Sequence, residues 1–148
     1  MAGSANSFGI LASAAYLPRW RIERRTVTVA VGWARGRVRP GQGTRSFAHW
    51  DEDSLTLAVE AGRGIHLADS PPARLLLAST SLPFADRSNA GIVREALGLP
   101  ASTQLLESGG SRRAATSALI EALEAGIPTL LCASDCVDPQ PGSEGETE

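Results

Sequence analysis

The sequence predicts an α/β domain built on a mostly parallel sheet, and three observations carry that reading. Short apolar runs alternate with stretches of helical periodicity, the order expected of a parallel sheet with helical crossovers. Phe8–Leu17 is a continuous apolar run ended by Pro18, which suits a strand covered on both faces. The third is the stretch Leu105–Leu123, which reads as a buried strand, then Gly109-Gly110, then an alanine-rich segment. There Ala114, Ala115, Ala118, Leu119, Ala122 and Leu123 repeat at helical spacing and make a narrow stripe of small residues. Such a helix is expected to be largely buried, and its N-terminus is the natural place for a ligand or nucleophile.

In chain order, residues 1 to 7 are a small, polar lead. Phe8–Leu17 is the first expected strand. Ile22 to Trp33 is read as a short helix, against the preference of its β-branched residues. Ala34 to Phe47 is rich in glycine and arginine, with Arg35, Arg37, Arg39 and Arg45 around Pro40-Gly41-Gln42-Gly43. Two readings stay open here: a solvated loop, or an arginine cluster that meets phosphates by forked hydrogen bonds. Asp51-Glu52-Asp53 opens a clear helix as capping acids rather than catalysts, with Leu55, Ala58, Val59, Gly62 and Ile65 on one face. His66 near its end is read as structural, and His49 has no partner that the sequence assigns.

Ser70-Pro71-Pro72 breaks the chain, and Leu75–Ser79 is a second strand. Thr80 to Arg87 is a loop at that strand's carboxyl end, where α/β sheets place ligands. Ile92, Val93, Ala96 and Leu97 form a third helical stripe closed by Gly98 and Pro100. Thr103–Glu107 and Thr129–Ser134 are strands flanking the central helix, which Ser111 is expected to N-cap and Gly126 and Pro128 to end. Residues 137–148 read as an acidic flexible tail, and residues 1–136 as one domain.

Composition narrows the chemistry. All 14 basic residues are arginines, so there is no lysine for a Schiff base or a Walker A phosphate loop. A formal net charge of -2 gives no support for nucleic acid as a partner. Cys132 and Cys136 have neither zinc-site nor CxxC spacing, so neither a metal nor a disulfide framework is expected. No apolar run is long enough to span a bilayer. Ala12-Ser13-Ala14 lacks the charged and apolar segments of a signal peptide, so the expected location is the cytoplasm.

Familiar motifs fail around the central turn. Gly109-Gly110-Ser111-Arg112-Arg113 lacks the closing glycine of a hydrolase elbow, and both histidines precede Ser111. Gly41-Gln42-Gly43-Thr44-Arg45-Ser46 lacks the third glycine of a dinucleotide fingerprint and follows no predicted strand. A cysteine at the helix N-terminus would have a lowered pKa, but no cysteine stands there. Cys132 lies within an apolar strand, where a thiol is usually an inert small hydrophobe.

Five segments, in order, resemble hydroxymethylglutaryl-CoA synthases of the thiolase superfamily, in their archaeal and actinobacterial branch. They are Tyr16-Leu17-Pro18-Arg19-Trp20-Arg21-Ile22, the acidic helix start Asp51 to Ala61, the loop Ser79 to Ala90, the turn Gly110 to Leu119, and Ala133-Ser134-Asp135 with Pro141-Gly142-Ser143. The resemblance covers nearly the whole chain. It implies the N-terminal half of a thiolase-like layered α/β/α fold with a mostly parallel mixed sheet, handling acyl-CoA thioesters.

Departures from the family pattern restrict the chemistry that the resemblance implies. The family's acylated cysteine falls at Arg112 and its general-acid glutamate at Thr80, and neither residue can replace that chemistry. The missing second half would supply a histidine and an asparagine. The resemblance therefore implies a subunit or pseudo-enzyme of lipid metabolism that another chain must complete, whether as acyltransferase, synthase or retro-aldolase. The alternatives are a non-catalytic interaction domain and a truncated fragment. With no resident cofactor, CoA thioester is the expected ligand, held by Arg35, Arg37, Arg39, Arg45 and the Gly109-Gly110-Ser111 amides. A homodimer, a chain supplying the C-terminal thiolase half, or an OB-fold and zinc-ribbon acyl-CoA protein is the expected partner.

Overall fold

The computed structural model describes residues 9–35, 41–67 and 70–136. In chain order the elements are β1 (Arg21–Glu23), α1 (Arg24–Arg35), β2 (Thr44–Ser46), α2 (Ser54–Arg63), β3 (Arg74–Ala78), α3 (Asn89–Ala96), β4 (Gln104–Ser108), α4 (Ala114–Ala125) and β5 (Thr129–Ala133). The described residues fall into two compact units, one within residues 9–16 and 54–135, the other within residues 17–53 with Cys136.

The larger unit holds a three-stranded parallel sheet in the order β4-β3-β5. Arg74 to Ala78 run in register with Gln104 to Ser108 on one side and Thr129 to Ala133 on the other. β3 is buried along its whole length, as a central strand covered on both faces must be. Successive side chains alternate, so its two faces feed two cores. Leu75 and Leu77 join Leu130 and Cys132 against Leu55, Ala58 and Val59 of α2 and Ala90 and Val93 of α3. Leu76 and Ala78 meet Ala114 and Ala118 of α4. The connections reverse direction: β3 passes through α3 to β4, and β4 passes through α4 back across β3 to β5. Because parallel crossovers keep one hand, that reversal puts α3 and α4 on opposite faces. The result is an α/β/α layering, as the sequence predicted.

Three local expectations need correction. Residues 9–17 of the expected first strand join no sheet among the described residues: Leu11 is 100% exposed, and Ile10 and Leu17 are exposed as well. A strand exists by pairing, and both sides of β3 are taken by β4 and β5; the run instead passes close to Gly64, where an added Cβ would stand 2.9 Å from that of Ala14. Secondly, α4 is not largely buried. Only Ala114 and Ala118 are enclosed, while Ile120 and Leu123 are exposed, because a stripe this narrow covers only part of one sheet face. Thirdly, α4 begins two residues later than expected. Arg113, not Ser111, is its N-cap residue, and Ser111 accepts at Oγ from the Arg113 N–H at 3.2 Å in the preceding turn. Gly126, at φ +62, ends α4 where the sequence put the end.

In the third stripe Val93 is buried but Ile92 is exposed, since α3 turns Asn89, Ala90 and Val93 inward. α2 starts at Ser54, just after the three acids, and buries Leu55, Ala58, Val59 and Gly62 as the periodicity required.

The smaller unit pairs β1 with β2 antiparallel, Ile22 opposite Arg45. α1 forms despite its β-branched residues, and Thr28 Oγ1 bonds back to the Arg24 carbonyl at 2.9 Å, which a helical threonine can do.

Candidate functional site

The carboxyl ends of β3 and β5 and the start of α4 enclose a cleft of about 150 Å³. Its lining includes Ser79, Thr80, Ser111, Arg112, Ser134 and Asp135. Parallel strands point their carboxyl ends the same way, and ligands of such sheets bind there. Thr80 and Arg112, the two residues that the resemblance singled out, are therefore brought to one cleft, as is Ser111.

Asp135 organises this cleft. Its Oδ1 accepts from the Thr80 N–H at 2.5 Å, from Thr80 Oγ1 at 2.9 Å and from Ser79 Oγ at 3.2 Å. A second set of hydroxyls ties the floor together. Ser54 Oγ donates to the Ser81 carbonyl at 2.7 Å, and Ser134 Oγ donates to the Ser54 carbonyl at 2.6 Å. The ends of β3 and β5 and the start of α2 are thus fixed by side-chain bonds where the ladder stops.

The two glycines make the turn that delivers Ser111 and Arg112. A Cβ on Gly109 would stand 3.1 Å from the Ser79 carbonyl oxygen, so the backbone runs close against β3's end. Gly110 has φ +75, the left-handed region that glycine enters without a Cβ penalty. Beside this turn, Glu107 accepts from Ser88 Oγ and the Ala90 N–H, each at 2.9 Å, and from Asn89 Nδ2 at 3.3 Å. Burial alone would raise its carboxyl, but these hydrogen bonds together hold it below the ordinary value. Asn89 also clasps Phe84, donating to its carbonyl at 2.8 Å and accepting from its N–H at 3.1 Å. Glu107 and Asn89 shape the loop rather than line the cleft.

Cys132 points into the core, and burial pushes its thiol up to about 11. It stays protonated near neutrality and is no nucleophile. Cys136 is half-buried, with its Sγ 3.8 Å from the Glu52 carbonyl. No cluster of three metal-ligating side chains occurs among the described residues.

Of the other proposed binding residues, two fall among the described residues, both in the smaller unit. Arg45 is half-buried in β2. Arg35 is the last residue of α1, with its side chain outside the described part; Arg37 and Arg39 lie outside the described residues altogether. The acidic tail and Pro141-Gly142-Ser143 lie outside them too. His49 does have partners: its Nδ1 is 2.6 Å from Asp51 Oδ1, and its ring stacks on Trp20 at 5.7 Å between centroids. That hydrogen bond holds the Asp51 carboxyl below its ordinary value. Sequence reasoning assigned no role to Ser79 or Asp135, although an aspartate ending one apolar strand beside a Ser-Thr pair ending another was visible.

Comparison with known proteins bears on the fold. No family model matches the chain. It is 31% identical over 147 residues to a hydroxymethylglutaryl-CoA synthase of Aeropyrum pernix, covering 93% of this chain and 41% of that protein. A second such synthase, from Archaeoglobus fulgidus, is 34% identical over 97 residues, 62% of this chain and 28% of that protein. The chain thus spans about two fifths or less of these relatives' length. A crystal structure of hydroxymethylglutaryl-CoA synthase complexed with CoA superposes with a TM-score of 0.80 at 21% identity, over 95% of this chain and 39% of that one. By sequence and by fold, this is a hydroxymethylglutaryl-CoA synthase-like chain of thiolase-type architecture, matching the N-terminal part of those enzymes.

Proposed function

We propose that this chain handles acyl-CoA thioesters without covalent catalysis, as a synthase-like subunit whose active site another chain completes. The observation that carries this reading is the cleft itself: Thr80, Ser111 and Arg112 converge there, with no thiol among its described lining. Arg112 is a fixed cation and no nucleophile; Thr80 is held by Asp135 and cannot act as a carboxylic acid. What such a cleft can do is hold a polar acyl group by hydrogen bonds and charge. The arginines of residues 34–47 are suited to the nucleotide phosphates, and this contact is tested separately from the acyl contact. A chain supplying the C-terminal thiolase half, a second copy, or an OB-fold and zinc-ribbon acyl-CoA protein is the proposed partner, in the cytoplasm.

A second reading is an interaction domain without substrate. It is favoured by Ile120, Leu123 and Ile127, apolar residues exposed on α4 and just after it.

Incubation with acetyl-CoA followed by intact-protein mass spectrometry tests the main reading. The expected result is an unmodified chain whose binding of acetyl-CoA weakens in Arg112→Ala. An acetyl adduct on Cys132 or Cys136 would overturn the non-covalent assignment. Full affinity in Arg112→Ala would remove the cleft from the acyl contact.

A further inference from the structure

α4 turns two different stripes to two different surroundings. Ala114 and Ala118 face the sheet and are enclosed. Arg113, Thr116, Ile120 and Leu123 are all exposed, and they follow one another at intervals of three, four and three residues. That is the repeat of a seam between two paired helices. Ile120 is 52% exposed and Leu123 37%. Charge is divided along this outer stripe, with Arg113 at its start and Glu124, also exposed, beside its end. Neither makes an ion pair among the described residues, whereas Glu121 on the flank is already met by Arg74 Nη1 at 3.6 Å.

We propose that this outer face of α4 is the seam of a homodimer in which two copies pair antiparallel about a two-fold axis. A two-fold sets each end of the stripe against the opposite end of its mate. Arg113 of each copy then meets the partner's Glu124, with Ile120 and the short Thr116 packed between the two ion pairs. Parallel alignment would bring Arg113 against Arg113 and Glu124 against Glu124. Antiparallel alignment also opposes the two helix dipoles. A face that carries both charges at opposite ends complements itself, so a second copy fits it better than a chain of one charge sign. The pairing brings the partner's Glu124 to the start of α4, beside Arg112 of the cleft. It deepens the proposed function, and rests on its reading of a cleft completed by another chain, by naming that chain as a second copy. One helix pair buries less than a standard interface, so the association is weak and reversible.

Sedimentation of the full chain across micromolar concentrations tests the seam through charge swaps. Glu124→Arg and Arg113→Glu each set like charges together at both ends, since every substitution enters twice. Either one alone should raise the dimer Kd roughly tenfold or more. Mixed in equal amounts, the two variants regain both opposite pairs and should associate about as tightly as the native chain. Both side chains are exposed, and unchanged circular dichroism confirms that each variant is folded. A monomeric native chain, a native-like Kd in either single variant, or no recovery in the mixture would overturn the proposal. Acetyl-CoA binding is measured on the same samples. A dimer that obeys the swaps but binds no acetyl-CoA supports this seam and sinks the acyl-CoA reading; acetyl-CoA binding by a chain that stays monomeric does the reverse.

Discussion

Asp135 shows how much a single carboxylate can decide. One oxygen collects three donors from Ser79 and Thr80 and so joins β5's end to β3's. Asp135→Ala leaves those donors to water or unpaired, and should cost about 1–3 kcal/mol in a urea-unfolding experiment. Asp135→Asn should recover part of it. Glu107 gives the pH counterpart. Its folded pKa lies below the ordinary 4.5, so its contribution is present above that value and lost as pH falls through the folded pKa. Melting temperatures measured from pH 6 downward should drop more steeply in the native chain than in Glu107→Gln. Cys132 should resist iodoacetamide at pH 8 in the folded chain and react on unfolding, since its thiol titrates at about 11 and is buried.

Among the elements, those whose sequence signal was local were legible, and those that depend on a neighbour were not. β3 and β5 were readable because Leu75 and Leu130 sit in apolar runs of strand length that follow Pro72 and Pro128. β4 carries only Leu105-Leu106 and, as an edge strand, is half-exposed rather than the buried strand expected there. α2 was readable from its acids and its apolar face. Residues 9–17 carried the same apolar signal as β3 but found no ladder, and composition alone cannot supply a pairing partner. The alanine stripe on α4 was real, yet stripe width and not helix existence sets burial, so only Ala114 and Ala118 are enclosed. The cleft was half legible. Thr80 and Arg112 came from a resemblance and Ser111 from the glycine turn before α4, whereas Asp135 required knowing that β5 lies beside β3. Leu76→Ala tests the α4 face directly: this side chain is 1% exposed between β3 and α4, and its loss should cost about 2–5 kcal/mol.

In the larger unit, among the described residues, one sheet face is covered by two helices and the other by α4 alone. Ile120, Leu123 and Ile127 remain in contact with water, and apolar surface of this kind marks association. Sedimentation at micromolar concentration should therefore show self-association, or a complex when a completing chain is present. Ile120→Lys should shift the chain toward monomer without loss of helix content. No described helix is long and apolar enough to cross a membrane. The central proposal is that the chain binds CoA thioesters without a covalent bond, and equilibrium binding of CoA to the native chain and to the Arg37→Ala, Arg39→Ala double variant tests it most directly. Each charged hydrogen bond to phosphate is worth about 1.5–3 kcal/mol before ordering costs, so the account predicts saturable binding weakened roughly tenfold or more in the variant. Equal affinity in the two proteins, or no CoA binding to the native chain, would contradict it.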